Sequence, residues 1–230
     1  MKALLPLTAL LLAGCAQVTA PATGAQRAST PATPSHEVLP DGHLRVTGTV
    51  NANLTGHTQL RFVRQGVVTF ETVGTHAGGT FTADIAPEQI TRNTDRVDYI
   101  RLQLNTMRGA QCRVNTLTPS AATSGGYWFQ YLYVDGANGT YRSAQEWTDA
   151  GYRARSTAYV YMDTEESLTG EADCLVATSR GLVRHRLNAD LHLTPGWNVI
   201  HFESLQPRTE DAINMTVKTG DDPTVPWIRS

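Results

Sequence analysis

The chain has 230 residues, with 19 Lys and Arg against 21 Asp and Glu and a net charge of −2 with histidine neutral. That balance excludes the basic footprint of a nucleic-acid or polyanion partner. Of the 19 cationic residues, 17 are Arg and 2 are Lys; the arginines are scattered along the chain, which suits a compositional bias better than an anion site.

The first element is a leader. Met1-Lys2 precedes an apolar run from Ala3 to Ala13 that ends at Gly14-Cys15. The run is too short to cross a bilayer, which takes ~20 apolar residues. A charged start, a short greasy core and small residues at its end describe a secretory signal. Leu12-Ala13-Gly14-Cys15 resembles the lipobox of bacterial lipoproteins and fits the L-[AS]-[GA]-C pattern at every position. The resemblance implies that residues 1–14 are cut away. It also implies that the Cys15 thiol carries a diacylglyceryl group and that the new amine receives a further acyl chain such as palmitate. Ala16, where an Asp would imply retention at the inner membrane, favours the outer membrane. Each buried CH₂ contributes about 0.8 kcal/mol to membrane binding, so several chains on one residue hold firmly.

Residues 16–37 are dominated by Ala, Thr, Pro, Ser and Gly with no apolar period. Such a stretch cannot bury enough surface to offset its ordering entropy and reads as a tether. Its r.m.s. reach is about 25–30 Å.

Beyond the tether, alternation with period two recurs in chain order: Leu44, Val46, Val50; Leu60, Phe62; Phe81, Ala83, Ile85; Ile100, Leu102, Leu104; Leu187, Ala189, Leu191, Leu193; Ile213, Met215, Val217. Each reads as a strand with one buried and one wet face. Turns are marked by Asp41-Gly42, Gln65-Gly66, Gly78-Gly79, Gly125-Gly126, Asn138-Gly139 and Pro195-Gly196. About a dozen short strands predict an all-β, antiparallel β-sandwich architecture. Two short helices are signalled, one opening at Pro87 and one at the capping-box spacing of Ser143 and Glu146, stopped by Gly151.

A boundary near residue 108 divides the body into two packed sandwich-like modules, 38–108 and 109–230. In the first, Gly48-Thr49-Val50, Gly66 and Gly79-Thr80-Phe81 resemble the skeleton of carboxypeptidase-regulatory or transthyretin-like modules, without that family's closing Tyr/Val alternation after a Pro-Gly. In the second, AYVYMDTEESLTG (158–170) and LNADLHLTPGWNVI (187–200) resemble a pattern of uncharacterised β-rich bacterial envelope lipoproteins. In Gly196-Trp197-Asn198, Pro-Gly makes the turn, the Trp plugs a sandwich end and Asn198 bonds local backbone.

With Cys15 lipidated, Cys112 and Cys174 form an even pair in an oxidising compartment and predict a disulfide. The most suggestive surface is YWFQYLYV (127–134). As one strand it puts Tyr127, Phe129, Tyr131 and Tyr133 on one face, with Tyr159 and Tyr161 extending it from a paired strand. Exposed, that face is an aromatic platform for sugar rings or a partner protein; covered, it is a central strand.

The seven histidines form no close metal pair; His192 and His201 would face each other only across the Pro195-Gly196 turn. Asp163, Glu165, Glu166 and Asp173 read as a solvated turn sooner than as a calcium site. No G-x-S-x-G elbow, H-E-x-x-H or phosphate loop is present. The expectation is a non-catalytic envelope lipoprotein without cofactor or metal, held to the membrane by its N-terminal lipid and contacting other envelope proteins. A peptidoglycan- or surface-glycan-binding module is the second reading, and an extracytoplasmic hydrolase the third.

Overall fold

Alternating runs closed by glycine-bearing turns give sixteen strands and two short helices among the described residues. The structure, a computed structural model, describes residues 36–49, 56–64, 67–107, 109–120, 123–129, 132–134, 139–178 and 181–229. The leader, Cys15, the tether up to residue 35, Tyr131 and the turns at Gln65-Gly66 and Asp135–Asn138 lie outside the described residues. The elements are β1 (His36–Val38), β2 (Leu44–Thr49), β3 (Gly56–Arg64), β4 (Val67–Ala77), β5 (Thr80–Ile85), α1 (Pro87–Asn93) and α2 (Tyr99–Thr106). They continue with β6 (Gln111–Asn115), β7 (Thr118–Pro119), β8 (Tyr127–Phe129), β9 (Leu132–Val134), β10 (Gly139–Trp147) and β11 (Gly151–Met162). The chain ends with β12 (Glu166–Thr178), β13 (Gly181–Leu193), β14 (Gly196–Pro207), β15 (Ala212–Thr219) and β16 (Trp227–Arg229).

The fold is all-β and sandwich-like, as the alternation predicts. Hydrogen-bonded neighbours run β1-β2-β5-β4-β3-β9-β10-β11-β14-β15-β13-β12-β6, with β16 on β10, β8 on β11 and β7 on β12. Pairings are antiparallel except β13 with β15. The strand following the Pro195-Gly196 turn therefore does not return beside its predecessor: β15 lies between β13 and β14.

Two hydrophobic clusters fill the body. One joins Leu44, Val46, Leu60, Phe62, Phe81, Ala83 and Ile85 to Phe129, Leu132, Tyr159, Val199 and Trp227, from distant parts of the chain. The other gathers Ile100, Val160, Met162, Leu168, Leu187, Leu191, Ile200 and Val217. Successive residues of β11 and β14 point into opposite clusters, Tyr159 and Val199 into the first, Val160 and Ile200 into the second. Residues 157–160 and 198–201 are accordingly all buried, where a half-wet strand would alternate. Trp227 reaches the first cluster because Gly48 has no side chain; a Cβ there would lie 2.4 Å from the indole Cδ1. As expected for Gly196-Trp197-Asn198, Trp197 packs on the first cluster, and the Asn198 carboxamide accepts from Thr194 N at 2.9 Å and donates to Thr194 O at 2.6 Å.

The structure corrects four local expectations. The first strand begins at His36, two residues inside the segment read as tether to residue 37. The run Ile100, Leu102, Leu104 is helix α2, not a strand; Asp98 caps it by accepting from Arg101 N at 2.8 Å, and Ile100 and Met107 turn to the second cluster. Ser143–Glu146 is part of strand β10, not a helix, because its backbone pairs with β11 from Arg142↔Thr157 to Trp147↔Tyr152. YWFQYLYV is two strands: β8 pairs with β11, β9 with β3 and β10. The helix at Pro87 is present as α1, with Gln89 Oε1 accepting from Ala86 N at 2.9 Å.

Cys112 and Cys174 form a disulfide between β6 and β12, 62 residues apart in sequence. It ties the last strand of the ladder to its neighbour. Closing a loop of that length restricts the unfolded chain by about 4 kcal/mol. Replacing both cysteines by serine should therefore lower unfolding free energy in urea by about 2–4 kcal/mol, and dithiothreitol should reproduce the loss in the wild type only.

Candidate functional site

The four aromatic residues singled out from sequence do not share one exposed face. Phe129 is buried at 8% exposure, its ring stacked on Tyr159 at 5.0 Å between centroids. Tyr127 is half-buried against the same cluster, and its hydroxyl accepts from Arg96 Nε at 3.1 Å. Tyr131 lies outside the described residues. Tyr133 stands on a different surface, in β9. The reason is the change of partner strand: Phe129 and Leu132, three positions apart, enter the same core, which an unbroken period of two forbids. Tyr159 and Tyr161 do pair with β8, opposite Phe129 and Tyr127, but inside the molecule's packing: Tyr159 is fully buried and Tyr161 is half-buried with its ring 5.3 Å from Trp197.

One aromatic surface open to solvent is built differently. Arg61 on β3 lies opposite Phe70 on β4, and Gln59 lies opposite Tyr133 on β9, so these side chains share the outer face of three adjacent strands. Phe70 is 49% exposed and meets Tyr133 edge to face at 5.8 Å. The Arg61 guanidinium sits 5.7 Å from the Tyr133 ring. Val68 extends the patch at 42% exposure. An aromatic pair flanked by a cation offers a stacking surface and a hydrogen-bond donor side by side. The sequence hid it because Val67-Val68-Thr69-Phe70 does not alternate cleanly, and only pairing reveals its outward face.

A second surface feature is a polar cleft of about 390 Å³ across β6, β12, β13 and β15, lined by Arg113, Glu171, Asp173, Arg186, Asn188, Asn214 and Thr216. Its arginines and Asp173 are held in ion pairs. Arg184 grips Asp173 with two hydrogen bonds of 2.7 Å, Arg113 adds one of 2.9 Å, and Arg186 binds Glu210 and Asn214. The Arg184 hydrogen bonds, with charge from both arginines, hold the Asp173 carboxyl down at about 2.

The third is a buried cluster beneath the segment before β16. Arg142, 1% exposed, donates to Val225 O at 3.1 Å, to Asp222 O at 2.5 Å and to the Asp221 carboxylate. Arg155 donates to Asp222 at 3.0 Å and to Thr224 at 2.8 Å. His36 on β1 faces Asp221 at 3.3 Å. His201, 3% exposed, lies 4.0 Å from Asp222; burial depresses its pKa and the Asp222 charge partly opposes this. Two arginines against two carboxylates leave little charge to spend on a ligand, and the cluster acts as a clasp that holds residues 221–225 on the sheet. The sequence signals were Asp221-Asp222 and a lone Arg142 in a strand, legible as a pair only once β10 and β16 are seen side by side.

The other sequence candidates are apart. His192 is exposed with Asp190 at 3.2 Å, while His201 is buried, and β15 separates them. Glu166 is buried and accepts from Gly125 N and Ser124 Oγ at 2.9 Å; Asp163 pairs with Arg96 and Asp173 with Arg184. Among the described residues no group of three His, Cys, Asp or Glu side chains is arranged to hold a metal ion, and no helix is long and apolar enough to cross a membrane. Comparison with known proteins returned no matching family model, no matching curated protein and no matching solved structure.

Two outcomes check these assignments. Asp173 has a folded-state pKa below its usual 3.8, so the stability it contributes is complete above that value and is lost as pH falls toward about 2. The difference in unfolding midpoint between wild type and Asp173→Asn should be constant from neutral pH to about pH 5 and should shrink steadily below it. Arg142→Ala removes one partner of a buried ion pair and should cost about 3–5 kcal/mol in urea denaturation, against less than about 1 kcal/mol for Arg113→Ala on the surface.

Proposed function

We propose that this chain is a bacterial cell-envelope lipoprotein. Acyl chains on Cys15 tie it to the membrane, with the outer membrane favoured by Ala16. Its all-β body stands on the extracytoplasmic side as a non-catalytic interaction or scaffold component. The observation that carries the reading is the distribution of the three cysteines. Two are joined to each other in the body, and the third sits where a lipobox requires a thiol. A structural disulfide suits an exported protein, since the cytosol keeps thiols reduced. The exposed face of Arg61, Val68, Phe70 and Tyr133 supports a body that meets a partner.

One observation favours a second reading. Phe70 and Tyr133 beside Arg61 match what a sugar ring needs, an aromatic face for its C–H groups and a donor for its hydroxyls. On that reading the body binds peptidoglycan or a surface glycan.

Cys15→Ser should move the protein from the membrane fraction to the soluble fraction, and mass spectrometry of the wild-type N-terminus should show a triacylated or diacylated residue 15. Continued membrane retention of the variant, or an unmodified thiol, rejects the anchor. Affinity capture of the lipidated protein should return a stoichiometric protein partner that Phe70→Ala releases; glycan fragments alone would select the second reading.

A further inference from the structure

We infer that the strand ends around Trp147 form a rim that lies against lipid headgroups and orients the body on the membrane. The inference rests on the lipid-anchor reading for the choice of occupant, and on the register of the ladder for the surface itself.

Among the described residues the large exposed apolar side chains are Val38, Val67, Val68, Phe70, Trp147, Leu175 and Leu182. Three of them stand toward one end of the long sheet, Trp147 on one face and Leu175 and Leu182 on the other. Glu146 opposes Arg153, Arg153 opposes Leu205, Leu205 opposes Asn214, Asn214 opposes Arg186 and Arg186 opposes Asp173. Measured from that common row toward the same edge, Trp147 is one residue on, Leu175 two and Leu182 four. At ~3.3 Å per residue the three lie within about 10 Å of each other along the strand direction, and at ~4.8 Å per strand they are spread over roughly 19–24 Å across the sheet, since β10 is four strands from β13 and five from β12. The β3–β4 hairpin points the same way, since β3 and β10 are both antiparallel to β9, and it carries Val67 at its tip.

The chemistry at this edge is interfacial. Trp147 is 61% exposed and Leu182 60%. The Arg208 guanidinium lies over the Trp147 ring at 5.4 Å, and Tyr152 is 5.2 Å from it. Amphipathic rings with a cation beside them settle at the headgroup level of a bilayer, where the ring is half-buried and the charge meets phosphate. The carboxylates at this edge are Glu146, Asp149, Asp211 and Glu210; Glu210 is bound by Arg186, and Glu146 lies 3.5 Å from Arg155.

The chain outside the described residues says why the occupant is a bilayer. Between Cys15 and His36 lie 20 residues, a contour of up to about 70 Å. The long strands of the body measure about 40 Å, from ~3.3 Å per residue. Any end of the body lies within that length of a membrane to which Cys15 is fixed, so the choice of end falls to the exposed apolar side chains and the Arg208–Trp147 pair.

The test uses the chain from residue 15 onward carrying Cys15→Ser, without the apolar leader. The described residues fall in one compact unit, Ala32–Ser230, so this chain retains the folded body. Flotation with vesicles of phosphatidylethanolamine and phosphatidylglycerol, 3:1, should recover it with the lipid, with a blue shift of tryptophan emission. Trp147→Ser with Leu182→Ser should weaken partition at least tenfold, while the urea midpoint stays put because both positions are exposed. No partition of the parent chain, or equal partition of the double variant, overturns the rim; a protein bound through Trp147 without vesicle binding does the same. Failure of the anchor is separable: an unmodified Cys15 in the native protein rejects the anchor even if the vesicles bind, and a lipidated Cys15 with no vesicle partition rejects the rim alone.

Discussion

The central pair of strands, β11 and β14, is wet on neither side at its middle. Tyr159 and Val199 belong to one core, Val160 and Ile200 to the other. A strand buried on both faces cannot alternate apolar with polar, and residues 157–160 read Thr-Ala-Tyr-Val for that reason. This doubles the yield of each residue on the pair, since neighbours on one strand support two different layers. It also binds the folding of the parts together. The residues of β2, β3 and β5 cannot complete their core without Tyr159, Phe129 and Trp227, which come from far along the chain. Such a design has many long-range contacts, and its strands must meet late in folding after large loops close. The disulfide and the buried clasp work on that difficulty from two sides, one shortening the unfolded loop between β6 and β12, the other fixing residues 221–225 where β16 must leave for β10.

The polar groups divide by where they sit on this sheet. Near its middle, where the first core covers it, charge is admitted as opposed pairs: Arg142 with Asp221, Arg155 with Asp222. Farther out, on the uncovered face, Asp173, Arg184, Arg186 and Glu210 form open ladders in which every carboxylate has an arginine. Breaking a buried pair leaves a stranded charge, whereas breaking a surface pair returns both groups to water. This is a physical reason for arginine to outnumber lysine where they occur. Its planar fork makes the two parallel bonds seen at Arg45–Asp84, Arg153–Glu203 and Arg184–Asp173, which an ammonium cannot. Scattered in sequence, these arginines are cross-strand partners in space.

Much of the architecture was legible from one-sided strands. Leu187, Ala189, Leu191 and Leu193 alternate in sequence and in burial, and the turn at Pro195-Gly196 stands where it was read. The misreadings come from positions where tertiary contact overrode local pattern. Ile100, Leu102 and Leu104 fit a strand and a helix equally over six residues; the Asp98 cap that decides the case is a single side chain. Ser143–Glu146 carries a helix-cap spacing, but ladder pairing with β11 along its whole length outweighs one capping bond. YWFQYLYV looked continuous because composition does not show where a chain leaves one partner for another. Of the described members of that aromatic set, Tyr133 is the one that joins the open surface of β3 and β4, and its partners Phe70 and Arg61 belong to strands more than sixty residues earlier. Cross-strand neighbours are set by register, and register between distant strands is not written in either strand alone.

That same limit explains why exposed apolar residues were silent in the sequence and coherent in the fold. Trp147, Leu175 and Leu182 occupy three strands and show no spacing of their own. Hairpin ends at the edge of a long sheet are places where a folding chain gains nothing from a tryptophan or a leucine, since no core lies beneath them. Solubility would favour polar residues there, as Thr148, Asp149 and Thr178 show at neighbouring positions. A large ring kept at such a site, with an arginine laid over it, has its energetic use outside the chain. In a protein free in solution that use would be a partner met by diffusion. In one tied by its first mature residue, the surface encountered most often is the membrane itself, at an effective concentration set by the leash. If Cys15 carries the proposed lipid, a weak rim suffices, because the anchor would remove the cost of finding the bilayer and leave only the choice of which end of the sheet turns toward it.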